Sequence, residues 1–305
     1  KPDLEDTFWV CLLGRGYPAP SNSFRWCTER LKIKNADRFI IEKVSQYGEA
    51  IVLLGTRKDE SGTRQQLMNL YEIKNSLLNR HSKFAQTYMY CPLKDFLTED
   101  VWNYLLQNKN PWGENNRDLL TMYQQANASE CPLVVDTSTP SCGGGRFGCW
   151  TCTVVARDKS MDSLLEGGED WLEPLSELRE VLKKTQEKEE KRKVREFKRR
   201  NGKVMFCFPD KEGDDTSAGP YTLDFCMDFL RKLLEAQVKV RKTGPDPKMI
   251  LINEDEIHEI QRIWRMERGD WKNSAYEIYE QVCGEKLEML EDLGGFGKVE
   301  QEILT

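Results

Sequence analysis

The sequence predicts an α/β fold over residues 1 to about 130, followed by a largely helical region. Short apolar runs typical of buried strands alternate with amphipathic helix patterns in the first part. After a cluster of cysteines and glycines, apolar residues recur only at helical spacing. We therefore expect three parts: an α/β domain over 1–130, a cysteine segment over 131–160 and a helical region over 161–305.

Three apolar runs predict the strands of the α/β part. Residues 8–14 (FWVCLLG) form a short run that ends in Gly, and residues 88–91 form another. Residues 50–55 (AIVLLG) have the continuous apolar pattern of a strand that is buried on both faces of a parallel sheet. Residues 37–48, which lie between the runs at 8–14 and 50–55, predict an amphipathic helix. Thr98 is expected to cap a further helix, whose first turn is acidic.

Helical periodicity then dominates. Leu175, Leu178 and Leu182 lie on one helical face, and residues 221–238 repeat the pattern more fully. Asn253, with Glu256 three residues later, predicts a capping box at the start of another helix. The sequence GPDP at 244–247 predicts the break between these last two helices.

Composition excludes several classes of protein. The 305 residues are 39% hydrophobic and carry a net charge of -6, which is too apolar for a disordered chain. No apolar run approaches the roughly 20 residues that a membrane-spanning helix needs, so no membrane association is expected. A chain of this length does not need disulfides to fold, so its ten cysteines indicate a reduced, cytoplasmic protein with a metal site. Because the first residue is Lys1, we expect a fragment of a longer protein.

The strongest motif is CGGGRFGCWTC at 142–152. Cys149 and Cys152 form a C-x2-C pair, Cys142 precedes them closely, and Cys27 is the expected fourth ligand because it lies among cationic and aromatic residues. Four thiolates favour a [4Fe–4S] cluster, while a zinc ion and a redox pair without metal remain alternatives. The other six cysteines are interpreted as structural thiols: Cys11, Cys91, Cys131, Cys207, Cys226 and Cys283.

The second motif, LGTRKDESGTR at 54–64, directly follows a predicted strand. Arg57 and Arg64 are suited to bidentate phosphate binding, and Ser61 and the backbone amides add donors. Glu60 is suited to position an arginine or a metal-bound phosphate. The alternative is an ordinary polar loop with an Arg–Glu pair.

Two further segments are rich in cations. Arg25, Arg30 and Lys32 flank Cys27, where they would favour its thiolate or bind an anionic substrate. The alternative is ordinary surface charge.

Residues 183–203 contain eleven Lys or Arg and four Glu, a net charge of +7 on an acidic chain. This stretch indicates a polyanion-binding surface, or alternatively a long solvated helix.

Together these motifs resemble a known family. GTRKDESGTR and PLKDFLTEDVWNYL (92–105) are similar to the phosphoadenosine phosphosulfate (PAPS) reductase-like group of adenine-nucleotide α-hydrolases. GRGYPAP (14–20), FRWCTERLK (24–32), the CGGGRFGCWTC motif and GPYTL (219–223) resemble more closely the DndC family of DNA phosphorothioation sulfurtransferases and its single-strand counterpart, the SspD family. The resemblance covers residues from about 8 to about 285.

The resemblance implies a PAPS reductase-like parallel sheet, an iron–sulfur loop and a C-terminal helical extension. It implies ATP pyrophosphatase activity with ATP and Mg²⁺, and a [4Fe–4S] cluster on Cys27, Cys142, Cys149 and Cys152. The pyrophosphate-binding loop of SGGKDS type that the family carries does not occur in the sequence. The N-terminal part of the nucleotide domain is therefore expected to be missing.

The function expected from the resemblance is ATP-dependent replacement of a non-bridging oxygen of the DNA backbone by sulfur. Expected partners are DNA, a cysteine desulfurase that donates sulfur, and other proteins of the phosphorothioation system. Arg57, Glu60, Arg64 and Lys32 are the expected catalytic residues, and Ser61 and Arg25 are expected to bind the nucleotide. The alternatives are a PAPS or APS reductase-like sulfonucleotide enzyme, and an iron–sulfur module that binds DNA or partner proteins without catalysis.

Overall fold

The computed structural model describes residues 1–126, 149–205 and 217–288. The chain divides into two compact units, and each unit is built from more than one stretch of sequence. The first unit comprises Lys1–Ile33, Thr151–Ala156 and Asp170–Thr305, and the second comprises Lys34–Trp150 and Arg157–Glu169. The boundaries at 130 and 160 that the sequence suggests stay a prediction.

The described residues form three strands and a larger number of helices. The strands are β1 (Ala50–Leu53), β2 (Leu78–Arg80) and β3 (Thr87–Tyr90). The α-helices are α1 (Trp26–Thr28), α2 (Lys34–Tyr47), α3 (Gly62–Leu70), α4 (Thr98–Gln107), α5 (Arg117–Ala126), α6 (Lys159–Glu166), α7 (Glu173–Lys184), α8 (Lys188–Val194), α9 (Leu223–Thr243), α10 (Glu254–Arg268) and α11 (Ser274–Cys283). Two π-helical segments occupy Val10–Gly14 and Glu29–Ile33. In these ranges no helix combines the length and the apolar character that crossing a bilayer would require.

The second unit contains a mixed sheet with strand order β1–β3–β2. β1 runs parallel to β3, with Ala50 opposite Thr87, and β2 runs antiparallel to β3. The predicted strands near 50–55 and 88–91 are therefore confirmed and pair in parallel, but the sheet as a whole is mixed rather than parallel as predicted. Burial of β1 on both faces was a wrong prediction, because Ile51 and Leu53 are more than half exposed. Among the described strands β1 lies at the sheet edge, and only alternate side chains are covered, as in a strand with one buried face.

The strand predicted for residues 8–14 is also wrong, because Val10–Gly14 is π-helical. The four side chains from Val10 to Leu13 are fully buried. The segment packs against both α9 and α10, and Trp264 Nε1 donates to Leu13 O at 2.8 Å. A short run that is apolar on every side suits a buried helix as well as a buried strand, so periodicity alone could not separate the two.

The core of the first unit lies among α7, α9, α10 and α11. Its largest fully buried side chains include Trp264, Tyr221 and Phe229. The predicted capping box is confirmed, since the Glu256 amide donates to Asn253 Oδ1 at 2.9 Å and the Asn253 amide donates to Glu256 Oε2 at 3.1 Å. The predicted break between α9 and α10 is confirmed as well.

The basic stretch over 183–203 is not one long helix. α7 ends at Lys184, α8 covers only seven residues, and Arg195 then forms an isolated bridge with Tyr221. Arg195 donates through Nε to Gly219 O and through Nη2 to Ala218 O, both at 2.7 Å. Helix formation stops here because this arginine bonds to the backbone of another segment, and the cations that follow it lie outside helices and strands.

Candidate functional site

In the second unit, two polar loops lie side by side at the carboxyl ends of β1 and β3. The first loop leads from β1 towards α3, and the second leads from β3 towards α4. Backbone pairing continues from the strands into the loops: the Leu54 amide donates to Tyr90 O at 3.0 Å, and the Lys58 amide donates to Lys94 O at 2.9 Å. Ligands of open α/β sheets bind at this edge, so the geometry makes these loops the candidate site.

The side chain of Arg57 connects the two loops through hydrogen bonds. Its Nη1 and Nη2 each donate to Thr98 Oγ1 at 3.2 Å, and Nη1 also donates to Phe96 O at 3.4 Å. Asp59 Oδ2 lies 3.6 Å from Nη1, and the side chain is only 14% exposed. The guanidinium is thus largely occupied by protein groups, which makes Arg57 a positioning residue rather than an open phosphate ligand.

Thr98 is the other half of this connection. Both its amide and its hydroxyl donate to Asp59 Oδ2, at 3.2 and 3.1 Å, while the hydroxyl oxygen accepts from Arg57. The prediction that Thr98 caps α4 is wrong, because Leu97 is the N-cap residue and its amide donates to Asp100 Oδ2 at 2.8 Å. Sequence reasoning missed the roles of Thr98 and Asp59, although both lie within the two motifs on which the resemblance rests.

Glu60 connects the start of the loop with α3. Its Oε1 accepts from the Arg57 amide at 3.2 Å, and its Oε2 pairs with Arg64 Nε at 3.1 Å. Ser61 is the N-cap of α3, where its Oγ accepts from the Arg64 amide at 3.2 Å. Arg64 is 44% exposed, so it is the loop arginine that is open to a ligand.

Lys58 adds a second accessible cation to these loops. Its Nζ lies 2.6 Å from Asp95 Oδ1, and the hydrogen bond from Lys58 holds the pKa of the Asp95 carboxyl below its usual range. An ion pair this close to solvent is weak and can be exchanged for a phosphate. Together, Lys58, Arg64 and the amides at the start of α3 offer donors and positive charge to an anion.

The other predicted site residues, Arg25 and Lys32, lie in the first unit. Arg25 is exposed and donates through Nη2 to Asn22 Oδ1 at 2.9 Å, and Lys32 is exposed. Arg30 is engaged within the protein instead, because it pairs with Asp6. The structure therefore brings Arg57, Glu60, Ser61 and Arg64 together and assigns the remaining two predicted residues to a different unit.

Three of the four predicted cluster ligands fall within the described residues. Cys27 and Cys152 are half-buried and Cys149 is exposed, whereas Cys142 lies outside the described residues. Over 1–126, 149–205 and 217–288, no three His, Cys, Asp or Glu side chains form a group suited to a metal ion. The four-cysteine ligand set stays a prediction, since one of its members is not described.

The backbone that follows the C-x2-C pair is held by two cations of α7. Arg179, which is buried, donates through Nε to Cys152 O at 3.1 Å and through Nη2 to Val155 O at 3.0 Å. Lys183 Nζ donates to Thr153 O at 2.9 Å. These bonds fix the conformation of the segment next to Cys152 and bring positive charge to it.

The cysteines interpreted as structural thiols are partly accounted for. Cys11, Cys91 and Cys226 are buried, which agrees with the prediction, and Cys283 is half-buried. Burial raises the pKa of Cys11 and that of Cys226 to about 11, so neither thiol forms a thiolate readily. Cys131 and Cys207 lie outside the described residues.

Comparisons with known proteins place this site within a recognised domain. Searches of curated proteins and of solved structures returned no significant match. Residues 15–155 match the family model described as the phosphoadenosine phosphosulfate reductase domain. This range contains β1, β3 and both loops of the candidate site, and it supports assigning that part of the chain to the PAPS reductase-like family.

Proposed function

We propose that the chain is part of an ATP-dependent sulfurtransferase that inserts sulfur into the DNA backbone. The observation that carries this proposal is the joining of two polar loops at the carboxyl ends of β1 and β3, within the range that matches the PAPS reductase domain. Such a site suits an adenine nucleotide, because its phosphates need cations and amide donors at a sheet edge.

Within this proposal, the phosphates of ATP are bound by Arg64 and Lys58. Both cations are accessible and each is held by one carboxylate, while Ser61 and the first amides of α3 add neutral donors. Arg57 and Glu60 position the loop through their bonds to Thr98 and Arg64. Mg²⁺ would accompany the nucleotide as part of the substrate.

The proposed reaction has two steps. A non-bridging phosphate oxygen of DNA attacks the α-phosphorus of ATP, and pyrophosphate leaves. A persulfide sulfur from a cysteine desulfurase then attacks the activated DNA phosphorus, and AMP leaves with the oxygen. A thiol reductant must finally cleave the sulfur–sulfur bond, which leaves sulfur on phosphorus. Charge that develops on phosphate during both steps needs preorganised cations, a role we assign to Arg64.

A [4Fe–4S] cluster is the proposed cofactor, with Cys27, Cys142, Cys149 and Cys152 as its ligands. The chemistry of the donor set fits, because the three described thiols are not fully buried and two cations bind the main chain beside Cys152. When bound, the cluster would supply a redox-active centre. Arg179 and Lys183 hold the backbone of its cysteine segment in place.

The proposal is tested by measuring pyrophosphate release from ATP by the chain within its full-length protein, with and without DNA. Arg64→Ala should weaken ATP binding about tenfold, because a charge-assisted bond contributes about 1.5–3 kcal/mol. Arg231→Ala is the matched control, since this half-buried arginine of α9 donates only to Gln281 through its side chain among the described residues. Iron and sulfide should be found in anaerobically purified protein, and zinc alone would contradict the cofactor.

The rival function is reduction of a nucleotide sulfate, the reaction named by the matching domain. The same preparation distinguishes the two functions. Release of sulfite from a nucleotide sulfate in the presence of a thiol, without DNA-dependent release of pyrophosphate, would support the reductase and overturn the proposed function.

A further inference from the structure

In the first unit, the ring of Tyr17 contacts arginines from two cationic segments that are far apart in sequence. The guanidinium carbon of Arg30 lies 5.5 Å from the centroid of this ring, and that of Arg200 lies 5.6 Å from it. Arg200 Nη1 also reaches the Tyr17 hydroxyl at 3.5 Å. The basic stretch is thereby attached to the segment that contains Arg25 and Cys27.

An exposed aromatic ring lies at this junction. The ring of Phe24 is centred 6.3 Å from that of Tyr17, and Phe24 is 45% exposed. Its sequence neighbour Arg25 is exposed as well. We call the group formed by Tyr17, Phe24, Arg25 and Arg200 the Phe24 surface.

The cations of the Phe24 surface interact only weakly with protein partners. Arg25 donates to the neutral amide of Asn22. Arg200 pairs with Glu267 at 2.6 Å, but both side chains are more than a third exposed, so the pair contributes little and can be exchanged for a phosphate. Within the described residues, the exposed Lys198 and Lys203 have no side-chain partner, and they add to the local positive charge.

We propose that the Phe24 surface binds an unpaired DNA strand. A base stacks on the exposed ring of Phe24, and the phosphates on either side of it pair with Arg25 and Arg200. Stacking on aromatic rings next to arginines is the usual way in which proteins hold single strands. In a duplex, the faces of the bases are already stacked on one another and cannot reach the ring. This inference rests on the proposed function, which supplies DNA as the partner.

The stacking contact is tested by fluorescence anisotropy of the full chain with a labelled single strand and with a hairpin duplex of the same sequence. Phe24→Ala should weaken single-strand binding about tenfold, because stacking on an aromatic ring contributes about 1–3 kcal/mol per base. Phe24→Tyr should retain binding. Trp271→Ala is the matched control, as Trp271 is an exposed aromatic residue of the same unit.

The phosphate contacts are tested by the dependence of affinity on salt. Arg200→Gln should reduce the slope of log affinity against log salt by about 0.7, the value for one contact to a single strand. Glu267→Gln should instead strengthen binding, because it removes the carboxylate that competes for Arg200. Arg231→Gln, at a half-buried position of α9, should leave the slope unchanged.

The outcomes separate the two proposals. Binding of neither single strand nor hairpin by the parent chain would overturn both the surface and the DNA function. DNA binding that is insensitive to the Phe24 and Arg200 variants would overturn the surface alone. Equal losses on single strand and hairpin would overturn the preference for an unpaired strand. If circular dichroism shows that Phe24→Ala is unfolded, Arg25→Gln and Glu267→Gln decide between these outcomes.

Discussion

At the scale of single residues, Tyr221 connects two of the sequence motifs, GRGYPAP and GPYTL. It is fully buried, its amide donates to Gly16 O at 2.7 Å, and its hydroxyl accepts from the Ala19 amide at 2.9 Å. Thr185 Oγ1 shares a further hydrogen bond with the same hydroxyl. GRGYPAP and GPYTL are therefore structural partners within this fold.

Gly16 is a position in this junction where only glycine fits. Its φ of +69° is left-handed, and a Cβ would lie 2.9 Å from Tyr221 O. Gly16→Ala should lower the free energy of unfolding by more than 2 kcal/mol, because about 1–2 kcal/mol of backbone strain adds to overpacking. Gly269→Ala is the control: its φ is +73° and no atom lies within 4 Å of the added Cβ, so only the strain applies. Equal losses in urea unfolding would contradict the steric argument.

The buried thiols give the first unit a dependence on alkaline pH. Burial raises the pKa of Cys226 to about 11, above its ordinary value of 9.0. A raised folded-state pKa means that its contribution to stability is complete below pH 9 and is lost as the pH rises through 11. Between pH 8 and pH 10.5, Cys226→Ala should therefore lose about 2 kcal/mol less stability than the parent chain. Identical pH profiles in urea unfolding would show that the thiol does not titrate differently on folding.

At the scale of elements, the two loops at the sheet edge depend on Thr98. Thr98→Val keeps the shape but removes the acceptor for Arg57 and the hydroxyl donor to Asp59. Hydrogen exchange of the Lys58 amide, which bonds to Lys94 O across the loops, should become faster. ATP binding should weaken by roughly tenfold, or about 1.4 kcal/mol, because the hydroxyl of residue 98 no longer holds the two loops together. Thr98→Ser keeps the hydroxyl and should behave like the parent chain; a similar loss in both variants would contradict this role.

Elements with strong periodicity were predictable, whereas elements defined by tertiary context were not. The repeat of apolar residues along α9 and the Asn253 capping box each carry their own local signal, and both are present. The apolar residues of Val10–Gly14 show no helical or strand spacing because the segment is buried on all sides. The sequence pattern therefore could not distinguish a helix from a strand. The local sequence predicts Thr98 as a helix cap because it contains no information about the long-range partners Arg57 and Asp59.

At the scale of the whole molecule, the two units differ in how much core they have. Among the described residues, the large side chains that are fully buried all lie in the first unit; they include Trp264, Tyr221, Leu182 and Ile257. The candidate nucleotide loops belong to the second unit, where Ile51 and Leu53 of β1 remain exposed. The fully buried core thus lies in the unit that contains Cys27 and Cys152, while the candidate loops depend on polar contacts such as that of Arg57 with Thr98.

The charge distribution is the second property of the whole molecule. The chain has a net charge of -6, yet residues 183–203 carry +7. Within the described part of that stretch, Arg195, Arg199 and Arg200 bind protein groups. A further set of exposed lysines in the stretch has no side-chain partner there: Lys184, Lys188, Lys198 and Lys203. These lysines, like Arg200 with its exchangeable ion pair, are available to a polyanion.

Neutralising the four lysines to Gln should weaken binding to all DNA sequences alike, because phosphate contacts carry no sequence information. If each contacts one phosphate of a single strand, the slope of log affinity against log salt should become shallower by about 2.8, or by about 3.6 for a duplex. The control is a second set of exposed lysines of the first unit changed to Gln: Lys242, Lys248, Lys272 and Lys286. Both variants shift the net charge equally, so a slope that changes only in the first variant assigns the effect to local contacts. Equal changes would instead indicate that DNA responds to the overall charge, and an unchanged slope in both would show that the stretch is a solvated surface.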